Sequence, residues 1–197
     1  QINMQNNFIF FEGSKFKLPL EGRHNAMNFL MALTVATELG LSIKNLDKLK
    51  LNMPMGRNRL VECGQYLVLD ETYNASPESV FASLEVLVSK PGRHFAVLGT
   101  MLELGPESIS LHKKVLERAV ELGLTGIVFI SCGEESRIVK KTIKGLPNHD
   151  VVRTPKDAAI SLLSWLSPGD NILIKGSRKM ELEKVLPYLK QKLRCTS

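Results

Sequence analysis

The chain's 197 residues are 44% apolar, 23% charged and 6% aromatic, the balance of a globular protein of one large domain, or of one domain plus part of another, and one that excludes intrinsic disorder. No run approaches the ~18–20 apolar residues of a membrane span, and no basic-then-apolar leader opens the sequence, so a cytoplasmic protein is expected. The formal net charge of +6 comes from scattered Lys and Arg without a dense basic run; it fits a solvated basic surface or attraction for anionic small molecules, and no nucleic-acid partner is expected.

Phe8–Phe11 and Phe16–Leu20 read as a hairpin around Gly13-Ser14. The spacing of Ala26, Met27, Leu30, Leu33 and Ala36 predicts a helix from about His24 to Leu39, stopped by Gly40. A second, short helix covers about Asn45 to Leu51. Two helices and a hairpin make too small a core for a stable domain. Residues 1–55 are therefore expected to be the tail of a domain whose body lies upstream.

After Pro54 the pattern changes. A strand near Arg59–Cys63 is expected to pair by hairpin with Tyr66–Leu69 across Gly64-Gln65. Apolar runs follow at Phe95–Leu98, Ile127–Ile130, Val151–Val152 and Ile172–Ile174. Helices alternate with them at about Pro77–Val88, Glu107–Leu122, Glu134–Lys144, Pro155–Leu166 and Lys179–Lys192. Such alternation means βαβ units, hence an α/β fold with a mostly parallel sheet over residues 56–197. Two helix starts are explicit. Ser76-Pro77 sets a capping hydroxyl before a proline at the first helical position, and Thr154-Pro155-Lys156-Asp157 adds an acid at the third.

Cys63, Cys132 and Cys195 are far apart and odd in number. That argues against a disulfide framework and for a reducing compartment. The four histidines, His24, His94, His112 and His149, show no metal-ligand spacing, and no metal site is expected.

In an open parallel sheet, ligands bind beyond the carboxyl ends of the strands. Four turns there are polar or glycine-rich: Asp70 to Pro77, Gly99 to Gly105, Ser131-Cys132-Gly133, and Lys175-Gly176-Ser177-Arg178. Asp70 can accept ribose hydroxyls or hold a cation, Tyr73 can stack on a ring, and Asn74 can donate and accept. Asp70 and Ser76 equally suit a turn carboxylate and a helix cap. The Lys175–Arg178 turn offers cations, a hydroxyl and backbone amides to a phosphate or carboxylate, or is simply a solvated basic turn. Asn25 and Asn28 lie one turn apart on the first helix and could read the edge of an adenine; a capping asparagine with a buried amide is the plainer reading. No G-x-x-x-x-G-K-[ST], G-x-G-x-x-G or G-x-S-x-G pattern occurs, which argues against a self-contained phosphate loop, a dinucleotide oxidoreductase and an α/β-hydrolase.

In order and spacing, Gly22-Arg23-His24-Asn25-x-x-Asn28, Gly56-Arg57, Asp70 to Pro77, Gly99 to Gly105, His112 and Lys175-Gly176-Ser177-Arg178 resemble the Mur ligase family. The resemblance runs from about Gly22 to the end. It implies a Rossmann-like C-terminal ligase domain over residues 56–197, preceded over residues 1–55 by the tail of a central P-loop ATPase domain. The branch most resembled joins D-alanyl-D-alanine to UDP-N-acetylmuramoyl-tripeptide through an acyl phosphate, in peptidoglycan precursor synthesis. Related ligases of folylpolyglutamate or cyanophycin type, and a non-catalytic nucleotide-binding module, are the alternatives.

The resemblance further implies ATP and Mg²⁺ as cofactors, bound mainly by the upstream domain. Its small-molecule partners would be ATP, the UDP-sugar tripeptide and the dipeptide. A monomer is expected, and one inactive as this chain alone. Asn25 and Asn28 would contact adenine, with His24 flanking the base. Arg57 or Arg59 would approach ribose or phosphate. Asp70 and Glu71 would face the ribose hydroxyls, with Tyr73 and Asn74 nearby. Lys175, Ser177 and Arg178 would hold the incoming dipeptide or the acyl phosphate, Lys175 and Arg178 as catalytic groups. The chain departs from the family pattern at Glu71 and Thr100, where the family has Asp, and at Ser76, where it has Asn.

Overall fold

The computed structural model describes residues 2–3, 8–44, 46, 51–131 and 133–193. Two compact units meet in sequence between Met53 and Pro54.

In the first unit, β1 (Ile2–Asn3), β2 (Phe8–Phe11) and β3 (Ser14–Lys17) form an antiparallel sheet in chain order. The β2–β3 turn places Glu12 and Gly13 at φ 46° and 74°, the paired positive φ of a type I′ hairpin. Helix α1 (Arg23–Glu38) buries Ala26, Phe29 and Leu33 on Ile9, Phe16 and Leu18. Phe16 meets Phe29 edge to face, with ring centroids 6.4 Å apart. The helix expected at 45–51 falls mostly outside the described residues.

The second unit is one six-stranded sheet. Its strands are β4 (Arg59–Cys63), β5 (Tyr66–Glu71), β6 (His94–Gly99), β7 (Gly126–Ile130), β8 (Asn148–Val152) and β9 (Asn171–Lys175), in the spatial order β4-β5-β9-β6-β7-β8. Only β4 runs antiparallel, in the expected hairpin with β5. Helices α2 (Pro77–Val88), α3 (Ser108–Glu121) and α4 (Ser136–Ile143) cover one face, through Val80, Leu84, Leu116, Ala119, Val139 and Ile143. Helices α5 (Pro155–Leu163) and α6 (Val185–Leu193) cover the other, through Ala158, Leu162, Val185 and Leu189. On β6 the period of two is plain: Ala96 and Leu98 enter the first core, Phe95 and Val97 the second. All four are essentially inaccessible, as strands covered on both faces must be.

Two expectations are corrected. The helix read at Lys179–Lys192 is instead two 3-10 turns, Arg178–Met180 and Leu182–Lys184, hinged at Glu181 with φ 50°, and then α6. Pro187 gives the reason: proline fits only the first turn of an α-helix, so α6 cannot start much earlier than Val185. Cys63, fully buried at the end of β4, is disulfide-bonded, with its partner outside the described residues. Distance along the chain had argued against a bridge, but folding brings remote segments together. The turn after Cys63 lies against the end of α6, where a Cβ on Gly64 would sit 3.0 Å from the Leu193 carbonyl oxygen.

Candidate functional site

The strand order sets the site. Neighbours β5, β9 and β6 send their carboxyl ends into three adjacent turns, with Lys175 in register between Glu71 and Leu98. The turns after β5 and β6 lead to helices on one face, and the turn after β9 leads to α6 on the other. A crevice opens where connections part in this way.

The turns are tied together by hydrogen bonds. Lys175 Nζ donates to the Asn74 carbonyl at 2.9 Å. Ser177 N–H donates to the Thr100 carbonyl at 3.4 Å, and Leu102 N–H donates to Ser177 Oγ at 2.8 Å. Gly176 is required for close backbone packing: a Cβ there would lie 2.5 Å from Leu182 Cδ1 and 3.1 Å from Gly99 Cα. Leu182 packs into the space beside Gly176.

The segment before β4 is clipped to the same rim. Tyr73 N–H donates to the Gly56 carbonyl at 2.9 Å, and Asn58 N–H donates to Glu71 Oε1 at 3.1 Å. The Arg57 guanidinium lies 4.0 Å from the centroid of the Tyr73 ring, a cation–π contact. Arg57 thus sits at the rim. Arg59 is the exposed first residue of β4, opposite Asp70.

Two carried-over residues have other partners. Asp70 is 2% exposed, and its Oδ1 accepts from Thr72 N–H and from Thr72 Oγ1 at 2.7 Å. It closes a turn, which is the plainer of the two readings. Lys175 is 4% exposed and lies 3.9 Å from Glu71 Oε2. Burial pushes the Lys175 ammonium down, against the pull of Glu71 and with the help of Arg57. Burial likewise pushes the Glu71 carboxyl up, although Lys175 and the Asn58 N–H draw it down. In both groups desolvation outweighs an attraction across 3.9 Å.

Facing out are Tyr73, Asn74 and Arg178, the last of which reaches Glu183 at 3.4 Å. Ser177 is 5% exposed. In the first unit, His24 and Asn28 are exposed on α1, while Asn25 is buried and donates from Nδ2 to the Glu21 carbonyl at 2.6 Å. Sequence reasoning missed Asn58, Thr72 and Glu135. Thr72 sits two residues after an aspartate, the Asx-turn spacing, and could have been found that way. Among the described residues, no group of three or more His, Cys, Asp or Glu could hold a metal ion, so no Mg²⁺ site is assigned to these side chains.

Such a domain is of the open α/β class, in which ligands bind beyond the carboxyl ends of the strands. Residues 56–178 match the family described as Mur ligase, glutamate ligase domain, and the chain belongs to the Mur ligase family. It is 36% identical over 184 residues to the UDP-N-acetylmuramoyl-tripeptide–D-alanyl-D-alanine ligase of Synechocystis sp., covering 92% of this chain and 40% of that protein. The enzyme of the same name from Escherichia coli K12 is 32% identical over 181 residues, covering 90% and 39%. A crystal structure of MurF ligase from Thermotoga maritima in complex with ADP superposes with a TM-score of 0.79 at 28% identity, covering 95% of this chain and 45% of that one. The chain therefore spans about two fifths of the length of the curated relatives it matches. Among the described residues no helix is long and apolar enough to cross a membrane.

Proposed function

We propose that this chain is the acceptor-side portion of an ATP-dependent carboxylate–amine ligase, joining D-alanyl-D-alanine to UDP-N-acetylmuramoyl-tripeptide in the cytoplasm for peptidoglycan synthesis. ATP phosphorylates the terminal carboxylate of the tripeptide. The dipeptide amine attacks the acyl carbon, loses a proton and displaces phosphate, leaving an amide and ADP. The relatives that share this name support the reading. The observation that carries it is the rim itself, where Lys175 lies 3.9 Å from Glu71, Arg57 stacks on the neighbouring Tyr73, and Arg178 is exposed on the turn after β9. Cationic side chains at such a rim suit an anionic guest, and bringing anionic groups together is the physical difficulty of this reaction.

Asn25 and Asn28, flanked by His24, are the adenine-side groups. Arg57 rather than Arg59 approaches ribose or phosphate, because only Arg57 lies beside Tyr73 and Glu71. Glu71, Tyr73 and Asn74 face the ribose on a turn shaped by Asp70. Ser177 and Arg178 hold the dipeptide carboxylate or the acyl phosphate, and buried Lys175 sets the potential behind them. Mg²⁺ bound with ATP would neutralise phosphate oxygens, held by residues outside this chain.

The test is phosphate release by the complete ligase with and without D-alanyl-D-alanine. Arg178→Ala is expected to raise the dipeptide KM by about tenfold and leave the ATP KM nearly unchanged, the effect of losing a charged hydrogen bond. Phosphate release that ignores the dipeptide would overturn the reading. The 197-residue chain alone, without a G-x-x-x-x-G-K-[ST] loop, is expected to release none.

A further inference from the structure

Three consecutive residues after β6 are each held by a side chain from a different element. Thr100 Oγ1 donates to Glu135 Oε1 at 2.6 Å. Met101 N–H donates to His112 Nε2 at 2.8 Å. Leu102 N–H donates to Ser177 Oγ at 2.8 Å. Glu135 precedes α4, His112 lies on α3, and Ser177 follows β9. These holding groups are 6%, 0% and 5% exposed.

The hydrogen bonds define the state of each group. His112 Nε2 accepts, so its proton is on Nδ1, which lies 2.7 Å from the Ser108 carbonyl oxygen. The ring is therefore a neutral imidazole in one tautomer. Its edge contact with Phe129, at 5.8 Å between centroids, fixes its plane. Glu135 Oε1 accepts a second hydroxyl, from Ser131 at 2.9 Å, so the buried carboxylate joins the ends of β6 and β7. Ser177 Oγ already accepts from Leu102, and among the described residues no acceptor is paired with its own hydroxyl hydrogen. That hydrogen is available to a ligand oxygen, and its direction follows from where the Leu102 peptide points.

We propose that His112 and Glu135 are positioning residues, which orient the Ser177 hydroxyl for the incoming substrate by locking the Thr100–Leu102 segment without touching substrate themselves. The inference rests on the rim being the acceptor site. It goes beyond that reading by giving two buried groups a role in substrate selection. It also explains why a threonine works at position 100: the carboxylate comes from Glu135 and the hydroxyl meets it.

Two measurements separate the lock from the reaction. The first is NMR on the 197-residue chain. A coupling across the hydrogen bond between Met101 N and His112 Nε2 is expected, together with slow exchange of the Leu102 amide. His112→Leu should speed Leu102 exchange, and His112→Gln, whose amide oxygen can accept from Met101, should restore slow exchange. The second is acceptor kinetics in the complete ligase. His112→Leu and Glu135→Leu should each raise the dipeptide KM about fivefold, the loss of one oriented hydrogen bond, with the ATP KM unchanged and with recovery in His112→Gln and Glu135→Gln.

If Ser177→Ala raises the dipeptide KM and the His112 and Glu135 variants do not, the positioning role is overturned. An absent coupling with a freely exchanging Leu102 amide overturns it equally, and needs no variant to fold. If the lock is seen and the dipeptide KM ignores Ser177→Ala as well, the lock stands and the acceptor-site reading falls.

Discussion

Glu71 and Lys175 face each other with burial working against both charges. A carboxyl held above its ordinary value of 4.5 contributes stability that is complete below that value and is lost as pH rises through its folded one. Glu135 has the opposite sign. Burial alone would raise it, but hydrogen bonds from Thr100, its own backbone and Ser131 outweigh burial and hold it low. Its contribution is present above 4.5 and is lost as pH falls through its folded value. Thermal melts from pH 3 to 7 should separate the two. Glu135→Gln should flatten the acid-side loss of stability, and Glu71→Gln should remove the loss on raising pH. Lys175→Met leaves Glu71 buried beside fewer cations, so the deficit against the parent chain should widen as pH rises above 4.5. At this scale the sequence was a partial guide. Asp70 carried two readings, and only the 2.7 Å bond from Thr72 selects the turn. Glu135 gave no signal, because a glutamate before a helix ordinarily faces water, and one of its two hydroxyl partners, Thr100, lies 35 residues away.

Each helix start with a local chemical signal was legible. Ser76 Oγ accepts from Ser79 N–H at 3.3 Å, and Ser79 Oγ accepts from Ser76 N–H at 2.9 Å, a reciprocal capping box. Thr154 Oγ1 accepts from Asp157 N–H at 3.1 Å, but the Asp157 carboxylate takes the Thr154 hydroxyl rather than its backbone N–H. Ser76→Ala and Thr154→Ala should each cost ~1 kcal/mol in urea unfolding. Because the cap Ser76 lies two residues after Asn74, whose carbonyl meets Lys175, Ser76→Ala should also broaden the amide resonances of residues 72–75, whereas Thr154→Ala should leave them sharp. The start of α6 was misread because apolar periodicity continues through the preceding turns, and the left-handed Glu181 between them carries no glycine to mark it. Gly56 is the converse. At φ 75° a Cβ would lie 2.6 Å from Thr72 Oγ1 and 2.7 Å from Tyr73 N. Gly56→Ala should therefore cost at least ~1 kcal/mol from backbone conformation alone, and it should release the Arg57–Tyr73 contact.

The alternation of strands and helices made the parallel sheet readable over the whole second unit, but not the order of its strands, since nothing local tells β9 where to insert. That insertion has a consequence for biogenesis. The last described strand in chain order, Asn171–Lys175, is not an edge but lies between β5 and β6. A nascent chain that ends before it leaves two strands with unmet backbone partners and a gap at the centre of the sheet. Non-local pairing of this kind closes slowly and exposes apolar surface meanwhile. A chain stopped after Ser164 should give collapsed, aggregating material without dispersed amide resonances, whereas loss of an outer strand would spare most of the fold. Until β9 is in place Glu71 and Leu98 have no strand between them, so a chain stopped short of it lacks the rim on which Lys175 meets both turns.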